Sequence, residues 1–118
     1  MDPGLTVYEK PTCSTCRRLF ELLEGRGVDF ERVNYHVDTL SEEKIRSLLA
    51  KAGLRPAEAL RVKEPVYASL ALGERDVPDD DLIALMAKHP ELLQRPIVER
   101  GERAVLARPP ERVLDLLD

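Results

Sequence analysis

What the sequence has little of narrows its class first. It holds only two cysteines in 118 residues, too few for the disulfide framework on which small secreted domains depend. No apolar run approaches the roughly 20 residues that a membrane-spanning helix needs. Positive charge is not in surplus: 18 Lys and Arg against 22 Asp and Glu leave a net charge of −4. A general nucleic-acid binder depends on basic surplus, so direct nucleic-acid binding is not expected beyond a local patch. There is no internal repeat, low-complexity tract or linker. Met1-Asp2-Pro3-Gly4 offers no positive stretch leading into apolar residues, so no secretory signal is expected. The expected location is the cytoplasm.

What remains suits one folded domain spanning 1–118. The length is enough to bury a core without covalent staples. Hydrophobic residues at 43% and charged residues at 34% do not describe a disordered tail.

Hydrophobic periodicity and Gly/Pro punctuation divide the chain. Leu5 to Tyr8 (LTVY) reads as a strand. Pro11 to Ser14 form a loop. Thr15 to Glu24 turn helical, with Leu19, Leu22 and Leu23 on one face and Gly25 and Gly27 as stops. Phe30 to Tyr35 alternates as a strand, with Phe30, Arg32 and Asn34 on one side. Ser41 is an N-cap ahead of Glu42 and Glu43, and Ile45, Leu48, Leu49 and Ala52 form the apolar face of a helix that Gly53 ends. A short helical piece follows Pro56, and Arg61 to Tyr67 fits no single element. Asp79 to Asp81 open a helix with Leu82, Leu85 and Met86 inward, ended by Pro90. Arg95-Pro96-Ile97-Val98 is a strand starting at proline. Gly101 turns it into a second strand, Ala104 to Leu106, making an antiparallel hairpin. Pro110 opens a last helix with Val113, Leu114, Leu116 and Leu117.

The order is βαβ, a block of helices, then ββα. A right-handed parallel crossover best satisfies the opening βαβ. The expected fold is therefore α/β on the thioredoxin-like plan, a four-stranded mixed sheet with flanking helices. Its core would be about 4–36 and 93–118, interrupted by a helical insertion over about 37–92. Pro96 is the candidate cis-proline of that plan, since cis peptides are essentially a proline feature.

The two cysteines, Cys13 and Cys16, are spaced C-x-x-C. Cys13 falls between a strand and a helix N-terminus, where unpaired N–H groups stabilise a thiolate. Arg17 and Arg18 add to the expected positive field. Such settings lower a cysteine's pKa, and the thiolate is the nucleophile. Cys13 is the candidate attacker, and Cys16, on the first helical turn, is near enough to close a disulfide. The alternative for the pair is two buried, inert thiols. A zinc site needs three or four ligands, and the only histidines, His36 and His89, lie at no usual metal spacing.

An oxyanion and a thiolate repel each other, so bringing them together needs fixed positive charge. Arginine supplies it as a planar fork of donors. Arg95, before the third-strand proline, Arg61 and Arg108 are candidates by position, although each taken singly also fits a solvated surface charge.

Together, Tyr8-x-x-Pro11-x-Cys13, Leu60-Arg61, His89-Pro90, Arg95-Pro96-Ile97-Val98 and Arg108-Pro109-x-Glu111 resemble the ArsC family. That family comprises glutaredoxin-linked arsenate reductases and the related Spx redox regulators. The resemblance runs from about Leu5 to Leu117. It implies Cys13 as catalytic cysteine, Cys16 or glutathione as resolving thiol, and Arg61, Arg95 and Arg108 as arsenate ligands. It implies no bound cofactor, and glutathione with glutaredoxin, or thioredoxin, as electron donor. Two positions depart from the reductase pattern. Glu9 stands where those reductases commonly carry histidine, and a carboxylate there is expected to raise the Cys13 pKa. Cys16 is similar instead to the Spx branch, whose C-x-x-C pair is a disulfide switch acting on RNA polymerase. The Arg-Pro-x-Glu motif at Arg108 belongs to the reductase side. The implied function is an arsenate reductase-like thiol oxidoreductase, with an Spx-like regulator as the alternative.

Overall fold

The computed structural model describes residues 4–117; the residues read for a secretory signal, 1–3, and residue 118 lie outside the described residues. The chain forms two compact units. One combines Met1–Asp38 with Arg95–Asp118, and the other is Thr39–Gln94.

The first unit holds a four-stranded mixed sheet in the order β2-β1-β3-β4, built from β1 (Leu5–Glu9), β2 (Phe30–Asn34), β3 (Ile97–Arg100) and β4 (Arg103–Leu106). β1 and β2 run parallel, and β1–β3 and β3–β4 run antiparallel. Helix α1 (Ser14–Gly25) links the parallel pair. Alternation along β1 sends Leu5 and Val7 to one face. There they join Cys16, Leu19, Phe20 and Leu23 of α1, Val98 of β3, and Ala107, Val113 and Leu116 in one buried cluster. Register places Phe30 beside Leu5 and Arg32 beside Val7. Phe30 stacks on Phe20 with ring centroids 5.4 Å apart, and the Arg32 guanidinium lies 4.1 Å from the Phe20 ring centroid. Gly101, at φ 61°, makes the β3–β4 turn, a backbone setting that favours glycine.

The third strand starts later than expected. Pro96 has no N–H to give a ladder, and the strand begins at Ile97. The Pro96 carbonyl instead accepts from the Ala107 amide at 2.9 Å. The Arg95–Pro96 peptide is cis, and so is Arg108–Pro109. The expected final helix divides into a 3₁₀ turn, Pro110–Val113, and α5, Leu114–Leu117.

The second unit is helical. It contains α2 (Glu42–Ala52), α3 (Pro65–Ser69) and α4 (Asp79–Lys88), with 3₁₀ turns at Pro56–Ala59 and Pro90–Leu92. The Ser41 hydroxyl caps α2 by accepting from the Lys44 amide at 3.0 Å, and Gly53 closes it at φ 68°. α3 occupies part of the segment left unassigned from sequence, starting where Pro65 presets the first turn. On α4 the buried residues are Leu82, Ile83 and Met86. Leu85 is only half-buried, so the buried stripe is centred nearer Ile83 than the periodicity suggested. Among the described residues no helix is long and apolar enough to cross a membrane.

Candidate active site

The end of β1 and the start of α1 create the site. Val7 and Tyr8 anchor the strand in the sheet, and the chain turns through Pro11 and Thr12. The Cys13 amide donates to the Lys10 carbonyl at 2.9 Å, which fixes the turn. Cys13 is the N-cap of α1, and its sulfur accepts from the Cys16 amide at 3.4 Å. The cysteine thus uses its sulfur where Ser or Asp would use oxygen, satisfying one of the helix's free donors. Both cysteines are buried, and they are not joined in a disulfide.

The two thiols are pushed in opposite directions. Burial pushes Cys13 up, but hydrogen bonds from the Cys16 thiol and amide, then the charge and hydrogen bond of Arg95, outweigh it and bring Cys13 below its ordinary value. Cys16 is pushed up to about 12, first by burial and further by Cys13 and by the charge of Glu9, against a lowering hydrogen bond from the Lys10 backbone. Of the two, Cys13 is the more readily ionised, and Cys16 the more firmly protonated.

The cation acting on Cys13 is Arg95, where Arg17 and Arg18 were expected to supply the field. Both of those are exposed, and Arg18 makes a 3.9 Å surface ion pair with Glu111. Glu9, expected to raise Cys13, bears on Cys16, and Cys13 lies below its ordinary value despite that nearby carboxylate.

Arg95 is only 6% exposed. Burial works against its charge, and Tyr35, then Cys13, more than compensate, so its proton is held more tightly than usual. Its Nε and Nη1 are buried and without hydrogen-bond partners. Arg108 lies beside it, donating from Nη1 to the Arg95 carbonyl at 2.9 Å. Cys13, Cys16, Arg95 and Arg108 therefore belong to the first unit, with the cis Arg95–Pro96 peptide among them. Arg61 belongs to the second unit. There its amide donates to the Leu92 carbonyl at 2.7 Å, next to the antiparallel Leu60–Leu93 bridge. Its Nε bonds Glu64 Oε1 at 3.1 Å.

Tyr35, which acts on Arg95, is a residue that sequence reasoning did not single out. It reads as the last residue of a strand, and no local spacing signals its contact with an arginine so far along the chain. Among the described residues no group of three or more His, Cys, Asp or Glu side chains could hold a metal ion.

The ArsC family model matches residues 8–116. The arsenate reductase of Rhizobium meliloti is 34% identical over 113 residues, covering 96% of this chain and 81% of that protein. The arsenate reductase of Haemophilus influenzae is 33% identical over 115 residues, covering 97% of this chain and 99% of that protein. A solved structure, the arsenate reductase from Vibrio cholerae, superimposes with a TM-score of 0.91 at 36% identity, covering 98% of each chain.

Proposed function

The chain belongs to the ArsC family, and from that premise we propose that it is a thiol-dependent oxidoreductase that reduces arsenate, with Cys13 as nucleophile. The observation that carries this reading is the pairing of a lowered, N-capping thiol with a buried arginine whose Nε and Nη1 donors are unspent. An oxyanion supplies the acceptors such donors lack. Arg95 would hold the anion against the thiolate. Arg108 is assigned beside it, and Arg61 is assigned to the anion on the Leu60-Arg61 motif alone.

The Cys13 sulfur forms a bond to arsenic, and one arsenate oxygen leaves as water. A second thiol then attacks the Cys13 sulfur. A sulfur–sulfur bond forms, the sulfur–arsenic bond breaks, and its electron pair stays on arsenic, which departs as arsenite. Two thiols are oxidised and arsenic is reduced by two electrons. One thiol proton leaves in the water and the other ends on arsenite. Cys16 or glutathione is the second thiol. With Cys16, the product is a C-x-x-C disulfide, which glutaredoxin or thioredoxin would reduce by exchange. The chain would act in the cytoplasm as one ArsC-like domain, with a core of about 4–36 and 93–118 and an insertion of about 37–92.

The C-x-x-C pair itself favours a second reading, a redox-sensing regulator that binds RNA polymerase. The variant Arg108→Ala separates the two. Arsenite release by the reduced protein, lost in Arg108→Ala and in Cys13→Ser, supports the reductase. Arsenite release that survives Arg108→Ala removes Arg108 from the anion site, and no release from the parent chain overturns the arsenate reading.

A further inference from the structure

One buried charged group has no part in the mechanism above. Glu9 ends β1, is 4% exposed, and its Oε2 is buried without a hydrogen-bond partner. Native folds seldom leave a carboxylate oxygen in that state, because burying it unpaired is costly.

The fold shows on which side of the sheet Glu9 lies. Side chains alternate along a strand, so Glu9 shares a face of β1 with Leu5 and Val7. Those residues belong to the same buried cluster as Cys13, Cys16, Leu19 and Leu23. Glu9 therefore lies on the α1 side of the sheet, just before the Pro11–Thr12 turn that leads into the cysteines. Cys16 is 0% exposed. After burial itself, the Glu9 charge is one of the influences that hold its proton in place.

We propose that Glu9 is the proton acceptor for Cys16 when Cys16 resolves the intermediate carried on Cys13. The proposal rests on the reading of Cys16 as the resolving thiol. A thiol must lose its proton to attack, and Cys16 has no solvent contact to receive it. Ionising it toward water would place a second negative charge in a buried site. Transfer to Glu9 moves an existing charge from oxygen to sulfur and adds none. The Cys16 S–H bond breaks and the proton goes to Glu9 Oε2. The sulfur's electron pair forms the bond to Cys13 Sγ. The bond from Cys13 to its adduct breaks, and that electron pair leaves with the adduct, which is reduced as the two sulfurs are oxidised. Glu9 then passes its proton to the leaving group or to water.

The surrounding charges suit this role. Burial raises the proton affinity of Glu9, and Arg32 on β2 limits the rise. Cys13 bears on Cys16 together with Glu9, but its thiolate charge is gone once it carries an adduct. Arg95, ahead of β3, acts on Cys13. The Cys16 proton is thus easiest to move once it is needed.

The aryl disulfide dithiobis-nitrobenzoate reads the two steps separately. Attack by Cys13 releases one coloured thiolate, and closure by Cys16 releases a second. In Glu9→Gln the first release should persist, showing a folded site, while the second slows by about 100-fold at neutral pH, the order expected for a lost general base. The parent chain's second release should also fall at acid pH as Glu9 takes up its proton, and the Gln variant should lack that limb. A Glu9 that merely repels gives the opposite sign, because its removal would make Cys16 easier to ionise. An unchanged or faster second release therefore overturns the proposal. If Glu9→Gln does not fold, Glu9→Asp serves, with the carboxylate drawn back by one methylene. Its second release should slow while the first persists, and equal rates would overturn the idea. If arsenate leaves the parent chain unreacted while the Glu9-dependent second release persists, the arsenate reading falls and this inference stands. A parent chain that gives no second release removes Cys16 from the resolving role, and this inference with it.

Discussion

Cys13 is pulled in two directions, by burial on one side and by the Cys16 thiol and amide, with Arg95, on the other. Removing Arg95 leaves burial less opposed. Arg95→Gln should therefore move the midpoint of Cys13 alkylation up by about one pH unit or more. A midpoint that stays put would assign the lowering to the Cys16 thiol and amide alone. Glu9 makes a separate prediction about stability. Its pKa is raised in the fold, chiefly by burial, so the folded chain keeps this proton to higher pH than the unfolded chain does. Below the unfolded value, near pH ~4.3, both states are protonated and the group has no effect. As pH rises from there through the folded value, stability is lost. Glu9→Gln should thus melt at a higher temperature than the parent chain at neutral pH, with the gain vanishing in acid. Equal melting temperatures at both pH values would contradict the raised proton affinity. At this scale the sequence singled out Cys13, Arg95 and Arg108, because a C-x-x-C at a helix start and Arg-Pro pairs are local patterns, and the fold places all three in one unit. The sequence misassigned the cation to Arg17 and Arg18, which are near in sequence but exposed. The contact of Tyr35 with Arg95 depends on tertiary folding alone.

At the scale of elements, α1 is both a packing unit and the mount for the cysteines. Leu19 is fully buried in the cluster that also holds Cys16 and Val7. Leu19→Ala should cost about 2–5 kcal/mol in chemical denaturation, since the cavity would sit where α1 meets the sheet. A loss well below that range would mean the helix settles onto the sheet without its central leucine. In the second unit, the Ser41 cap on α2 predicts a loss of about 1 kcal/mol for Ser41→Ala. An unchanged denaturation midpoint would show the cap to be replaceable by water. Caps and stops such as Ser41 and Gly53 were legible because each satisfies a specific backbone requirement in place. The start of β3 was less so. Its proline reads as a strand opener, but hydrogen bonding to β1 begins only at Ile97. Similarly, the α4 pattern offers Leu82, Ile83, Leu85 and Met86 on neighbouring faces, and only the packing selects Ile83 over Leu85.

For the whole molecule, the order βαβ, helices, ββα was readable because strand and helix periods differ and Gly and Pro mark the breaks. The four-stranded mixed sheet follows that order. In the proposed function, chemistry at this scale is a cycle, in which electrons would leave through Cys13 and return from an outside thiol. In that cycle arsenate would be the oxidant, and Cys16 or glutathione the resolving thiol. The most direct test incubates the reduced protein with arsenate, with and without glutathione, and follows intact mass together with arsenite release. With Cys16 as the resolving thiol, arsenite should be released without glutathione and the protein should become lighter by two hydrogens, the mass change of closing a Cys13–Cys16 disulfide. Release only with glutathione would keep the reductase and take the resolving role from Cys16. No release, with the same disulfide forming readily under peroxide, would contradict the arsenate claim and leave a thiol oxidoreductase or redox regulator.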